Sequence, residues 1–322
     1  MQPKSQELLL TNFERYISET KQIIDHELSR FVENLSELKL YPLIRYAVLS
    51  RGKRLRPIMT VLSAQSVGGS REKALPLALA IELLHTATLI HDDIIDDDLI
   101  RRGVSTLHTK CGVNSAILVG DILISLAINL TTDFGAEILK ITSKEGINIC
   151  EGQYLDIFLP LNEATENDYL DKIRNKSASL FKAAALCGGI VGKGKTVEID
   201  ALAKFGENYG MAYQIRDDLK DVITHDGETA FQDLRNGRVT LPLIHLYKNS
   251  DNQTKVILIE NFGKRKISRN VTDKLFAEMN RLGSHAYCER KILKFIEDAQ
   301  KSLKPVRESM FKTYLKTMVS RI

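Results

Sequence analysis

Residues 76 to 98, PLALAIELLHTATLIHDDIIDDD, are apolar on most helical faces and end in five aspartates. A helix that is apolar nearly all round has to lie inside a core. The segment therefore predicts a central helix, opened by Pro76, against which others pack. Its acidic end is the C-terminal one, where the helix dipole already disfavours negative charge. Folding stability alone does not select such a cluster. Asp92 and Asp96 are four residues apart and share a face; a second cluster, DDLKD at 217 to 221, repeats the spacing with Asp217 and Asp221.

The rest of the chain supports an all-α fold. Apolar residues recur at helical spacing from Leu8 to Phe31. Further helical segments are predicted over about 113 to 131, 134 to 157, 166 to 188, 197 to 223 and 240 to 249, with a polar loop from His225 to Arg238. Runs of β-branched and aromatic residues are scarce, and no composition shift forces a boundary, so residues 1–322 read as a single domain. The stretch from Val113 to Leu130 is the most apolar, but Asn114, Asp121 and Asn129 interrupt it, which predicts a buried helix and not a membrane span. Residues 255 to 322 carry helical spacing and no evident chemistry, as expected of structural support.

Charge excludes some functions. The net charge is +4, yet basic and acidic residues are interleaved without a long basic tract, which argues against nucleic acid. Cys111, Cys150, Cys187 and Cys288 lie far apart with no CxxC spacing, which argues against zinc and against a disulfide framework. The N-terminus lacks the pattern of a signal peptide. These features fit a cytoplasmic protein with at most peripheral membrane contact.

Two acidic clusters supply the hard oxygen ligands that Mg²⁺ takes, and Mg²⁺ commonly binds through a few carboxylates together with phosphate oxygens and water. One cluster alone would read as a solvated helix end. Two at matched spacing point to several ions and a diphosphate. Such a site needs cations for the remaining phosphate charge. Lys53, Arg54 and Arg56 in the loop RGKRLRP, Arg101 and Arg102 after the first cluster, and Lys176 in RNKSASLF are candidates. Residues 189 to 196, GIVGKGKT, match a nucleotide-binding phosphate loop letter for letter. That loop follows a buried strand, whereas SLFKAAALCG before Gly189 has helical spacing, so the match reads as a turn between helices.

GKRLRP, ELLHTATLIHDDIIDDDLIRRG, EGQYLDI, NKSASLF, QIRDDLKD and DLRNGRVTLP stand in this order between residues 52 and 242. Together they resemble the motifs of the trans-isoprenyl diphosphate synthases, the polyprenyl synthetase family. The resemblance implies a large helical bundle of the isoprenoid synthase type with a central cavity, working as a Mg²⁺-dependent homodimer. It implies that Asp92, Asp96 and Asp217 ligate Mg²⁺, with Asp93, Asp218 and Asp221 in support. The allylic diphosphate would meet Arg101, Lys176 and Gln214, and isopentenyl diphosphate would meet Lys53, Arg56, His85 and Arg102. Gln153, Ser177 and Arg238 complete the implied substrate set. His85 lies two helical turns before Asp92 and so shares its face.

The family's chemistry is head-to-tail condensation, with product length set by the depth of an apolar cavity below Asp92. Here the floor would be Thr88, Ala87 and Leu84. Short-chain members usually carry an aromatic where Ala87 or Thr88 stands, so products of twenty carbons or more are expected. The chain departs from the pattern at Leu99, Ser177 and Arg238. HDGETAFQDL also lacks the lysine that usually grips the allylic diphosphate near Glu228, a role that would pass to Lys220 or Arg235 or be lost. A class I terpene cyclase is the nearest rival, but DDLKD and GKRLRP speak against it. A non-catalytic subunit of a heteromeric synthase is the other rival, and both complete aspartate sets oppose it.

Overall fold

The computed structural model describes residues 3–223 and 230–322. The fold is all-α: helices alternate with short turns, and among the described residues the sole sheet is one two-residue hairpin. The first helices are α1 (Pro3–Glu33), α2 (Tyr41–Val48), α3 (Leu55–Ser66) and α4 (Arg71–Asp96). After the hairpin β1 (Ile100–Arg101) and β2 (Val104–Ser105) come α5 (Leu107–Cys111), α6 (Val113–Thr132), α7 (Ala136–Phe158) and α8 (Glu166–Ile173). A π-helical turn (Arg174–Ala178) joins α8 to α9 (Ser179–Val191), which α10 (Thr196–Ile223) follows. The chain closes with α11 (Gln232–Arg235), α12 (Leu241–Asn249), α13 (Asn252–Asn261), α14 (Arg269–Leu282), α15 (Ser284–Ser302) and α16 (Met310–Val319).

Contacts divide the chain into two compact units. The first comprises Met1–Ser143, Ala183–Ala203 and Leu303–Met318. Its centre is α4, which packs most extensively on α6 and α3. The predicted central helix is thus present, but Pro76 does not open it. Ser70 is the N-cap, its hydroxyl accepting from Lys73 N at 3.3 Å, and Pro76 falls inside the second turn. The helix ends where Asp97 turns left-handed at φ 54°. On α1, Phe13 and Tyr16 pack against Tyr314 of α16 at ring-centroid distances of 5.7 and 5.2 Å. The last helix thus packs against the first.

The glycines of GIVGKGKT serve packing. A Cβ on Gly192 would lie 2.5 Å from Ala64 O, and one on Gly188, just before the motif, 2.4 Å from Thr60 O. Close approach to α3 therefore requires glycine at both positions. The motif is the turn between α9 and α10, with no strand before it.

One expectation fails in this unit. The apolar stretch of α6 is not buried: 28% of it is covered within the structure, against 61% for α4. Val113, Ile117, Leu118 and Ile128 are exposed. Both helices are long and apolar enough to cross a membrane by length and composition alone. Apolar content did not distinguish a helix packed on all sides from one packed on a single side.

The second unit comprises Lys144–Lys182, Lys204–Ser302 and Val319–Ile322. Its core joins Met211, Ile215 and Leu219 of α10 to Leu243 of α12, Met279 of α14 and Ile292 of α15. Thr165 and Asp168 form a reciprocal capping box that starts α8. The continuous helix expected over 166 to 188 is instead broken by the π turn. At this turn the chain meets α7 closely: a Cβ on Gly152 of α7 would lie 2.2 Å from Lys176 N. The bare glycine lets the α7 backbone meet the turn, and the added residue of a π turn re-aims the side chains it carries.

Candidate active site

The candidate residues fall into two sets, one in each unit. In the first unit, Asp92 and Asp96 are partly exposed one turn apart on α4, while Asp93 points inward and is buried. Arg101 pairs with Asp93 through Nε and reaches Asp98 Oδ2 through Nη2 at 3.4 Å. Burial raises the Asp93 carboxyl above its ordinary value, and Arg101 opposes that rise. Arg101 is thereby held by aspartates beside the first cluster. Arg102, at φ 54°, donates from Nη1 to Arg51 O at 2.7 Å.

His85 and Arg56 meet, with Arg56 Nη1 3.0 Å from His85 Nε2. Burial, and then Arg56 and Arg102, push the imidazole well below its ordinary range, so it is neutral. Because Arg56 can only donate, Nε2 is the acceptor and the ring proton sits on Nδ1. Lys53 is exposed at the start of the same segment.

Arg54 does not join Lys53 and Arg56 as a candidate phosphate ligand. Its left-handed backbone, φ 52°, turns the side chain into the core. There Nε donates to Asp25 Oδ1 at 2.8 Å, Nη1 to Glu82 Oε1 at 2.6 Å, and Nη2 to the Val48 and Ser50 carbonyls at 3.0 Å each. A cavity of about 350 Å³ opens on the neighbouring face of α4, where Glu82, Thr86 and Asp93 line it with Arg51, Arg101 and Arg102.

Of the three floor residues, Ala87 is fully buried whereas Leu84 and Thr88 keep part of their surface. Leu84, Thr88 and Asp92 follow one another at four-residue intervals and so share a face.

In the second unit, Asp156 is a hub. Lys172 Nζ donates to its Oδ1 at 2.7 Å and Lys176 Nζ to its Oδ2 at 2.6 Å. Arg238 Nη1 donates to its backbone carbonyl at 3.0 Å, with Nε 3.6 Å from Oδ2. Burial alone would raise this carboxyl, but Lys172 and Lys176 overcome it and hold Asp156 far below the usual range. Two of the cations assigned to substrate, Lys176 and Arg238, are therefore set by one buried carboxylate.

Ser177 Oγ donates to Gln214 Oε1 at 2.7 Å, and Gln214 Nε2 donates to Asp218 Oδ1 at 2.6 Å. Gln153 is buried, and its amide oxygen and nitrogen have no hydrogen-bond partner among the described residues. A buried amide costs free energy until something bonds it.

The three aspartates of DDLKD differ in state. Asp217 is exposed; Asp218 is buried, and burial pushes it up to about 6. Asp221 accepts from the backbone N–H groups of Gln232 at 2.9 Å and Asp233 at 3.1 Å, which ties the end of α10 to the start of α11. Arg235 donates to the Ala230 and Arg265 carbonyls and is buried, so it is held by backbone. The position near Glu228 lies outside the described residues.

Among the described residues, no three His, Cys, Asp or Glu side chains converge on one metal position. The donor set is nonetheless of the right chemistry for Mg²⁺, which needs few protein oxygens when phosphate and water supply the rest.

Sequence reasoning missed Tyr169, Lys172 and the Arg54–Glu82 pair. Asp156 stood inside the motif EGQYLDI without being singled out. Nothing in the spacing marks Tyr169 or Lys172 apart from other helix residues, because their partners come from α7 and α10.

Solved structures of isoprenyl diphosphate synthases share this fold. A geranylgeranyl pyrophosphate synthetase from Pyrococcus horikoshii superposes with a TM-score of 0.86 at 31% identity, covering 98% of each chain. A decaprenyl diphosphate synthase from Rhodobacter capsulatus gives 0.86 at 27% identity, covering 98% of this chain and 97% of that one. The polyprenyl synthetase family model matches residues 37–279, and the chain belongs to that family of trans-prenyltransferases. Among curated relatives, the geranylgeranyl diphosphate synthase of Methanosarcina mazei is 35% identical over 287 residues, 86% of this chain and 87% of that one. The octaprenyl diphosphate synthase of Escherichia coli is 34% identical over 247 residues, 74% and 75% of the two chains.

Proposed function

We propose that this chain condenses isopentenyl diphosphate head-to-tail with an allylic diphosphate, giving an all-trans polyprenyl diphosphate of twenty or more carbons in a Mg²⁺-dependent reaction. The observation that carries the reading is the partly open Asp92–Asp96 pair at the end of α4, with His85 two turns up the same helix and Arg56 of α3 beside it. Asp92, Asp96 and Asp217 would hold Mg²⁺, which when bound supplies positive charge to the departing diphosphate. Asp93, Asp218 and Asp221 hold neighbouring groups in place. Lys53, Arg56 and Arg102 bind the diphosphate of isopentenyl diphosphate, and neutral His85 fixes the Arg56 guanidinium. Lys176 and Arg238, aimed by Asp156, bind the allylic diphosphate with Arg101, Gln153, Ser177 and Gln214.

The allylic C–O bond breaks and its electron pair leaves with the diphosphate. The double bond of isopentenyl diphosphate then forms the new C–C bond, and the proton lost passes to the released diphosphate. No side-chain base is needed, and apolar walls keep water from the cation. Incubating the purified protein with farnesyl and isopentenyl diphosphates, with Mg²⁺ or with a chelator, tests this reading. Prenyl transfer is expected only with the metal.

The product length rests on Ala87, Thr88 and Leu84, and is supported by relatives that make geranylgeranyl and octaprenyl diphosphates. Replacing Ala87 with phenylalanine is expected to shorten the products by at least one five-carbon unit. The dephosphorylated products are compared by chromatography, and unchanged length removes Ala87 from the floor.

A homodimer is supported by the uncovered apolar residues of α6, Ile117, Leu118 and Ile128. An exposed apolar face of this kind marks an interaction surface. Sedimentation equilibrium should return twice the mass of one chain; a single-chain mass contradicts the dimer.

A further inference from the structure

We infer that Tyr169 is a positioning residue for the second aspartate cluster, fixing Asp218 from behind through its hydroxyl. Resting on the prenyl-transfer reading above, this adds a group that no motif assigns. Tyr169 is fully buried, and its hydroxyl donates to Asp218 Oδ2 at 2.6 Å. Gln214 Nε2 donates to the other oxygen, Oδ1, at 2.6 Å. A hydroxyl and an amide therefore take one lone pair on each oxygen and hold the carboxylate in one rotamer, leaving the remaining lone pairs available to a hydrated ion.

The tyrosine is itself held. The capping box at Thr165 and Asp168 secures the start of α8. Three residues on, Lys172 Nζ lies 5.4 Å from the Tyr169 ring centroid and binds Asp156 and Val239 O. One short helix thus presents two buried polar groups, each gripping a carboxylate of the site: Tyr169 grips Asp218, and Lys172 grips Asp156. Without Tyr169, Asp218 keeps a donor on one oxygen only and can rotate about Cα–Cβ. Its neighbour Asp217 is exposed and carries like charge, so the two carboxylates would no longer have a set relation.

The test is Tyr169→Phe, which removes one oxygen and keeps the ring. Partners that orient metal ligands typically contribute about tenfold to hundredfold. The expected result is a fall in kcat of about tenfold or more. The Mg²⁺ concentration for half-maximal rate should rise by about tenfold, with KM for isopentenyl diphosphate nearly unchanged. Tyr287→Phe is the control, because Tyr287 also donates to a carboxylate of the same unit, Glu166. It should lower the melting temperature to a similar extent while leaving the Mg²⁺ dependence alone. If Tyr169→Phe behaves like this control, the inference is overturned. The pair Asp218→Asn and Asp218→Asn/Tyr169→Phe gives a second reading: Tyr169 should matter little once Asp218 is changed, and fully additive effects contradict the proposal. Absence of Mg²⁺-dependent prenyl transfer in the unaltered protein would instead overturn the underlying function.

Discussion

Alanine at Asp92, and separately at Asp217, is expected to lower kcat/KM by about a thousandfold, the scale for losing a group that sets the charge around the transition state. The fold should survive both changes. Neither carboxylate is buried, and the contacts that fix the cluster helices are made by their neighbours: Asp93 with Arg101, Asp218 with Tyr169 and Gln214, and Asp221 with two backbone amides. Both aspartates also stand near the C-terminal ends of α4 and α10, where the dipole disfavours negative charge. The melting temperature should therefore hold or rise slightly. Turnover is measured by incorporation of labelled isopentenyl diphosphate, and folding by circular dichroism. Substantial residual turnover in either variant would contradict the metal assignment.

The second large effect is on stability. Glu82→Ala leaves the Arg54 guanidinium buried, with the half-exposed Asp25 as its remaining carboxylate partner. Breaking a buried ion pair from one side costs about 3–5 kcal/mol, and a loss of that size is expected in urea unfolding. Glu82→Gln keeps an oxygen as acceptor and should cost less. Arg54 also bonds the carbonyls of Val48, at the end of α2, and of Ser50, in the turn after it, so the Glu82→Ala variant should bind isopentenyl diphosphate more weakly as the segment carrying Lys53 and Arg56 loosens. A loss below about 1 kcal/mol, the scale of an exposed pair, would show that the pair does not organise this loop.

Much of the fold was legible because amphipathic spacing survives in the sequence. The segments expected at 113 to 131, 197 to 223 and 240 to 249 correspond to α6, α10 and α12 within a residue or so at each end. What was not legible depends on partners distant in the chain. The π turn at Lys176 lies against a bare glycine in α7, and spacing alone cannot report which face of α6 is left uncovered. In GKRLRP three cations look equivalent, yet the left-handed backbone at Arg54 sends it to Glu82, twenty-eight residues on. The paired aspartates were readable from their i, i+4 spacing. Their individual states were not, since burial of Asp93 and Asp218 and the backbone bonds of Asp221 arise only in the folded chain. Tyr169 and Lys172 illustrate the same limit, as a tyrosine and a lysine on a short polar helix normally face water.

The most direct test is the mass spectrum of the products formed from farnesyl and isopentenyl diphosphates with Mg²⁺. A ladder of diphosphates rising in five-carbon steps from the starter and reaching twenty carbons or more is predicted, with one inorganic diphosphate released per step. Consumption of farnesyl diphosphate to a hydrocarbon without uptake of isopentenyl diphosphate, or no product at all, would contradict chain elongation by this protein.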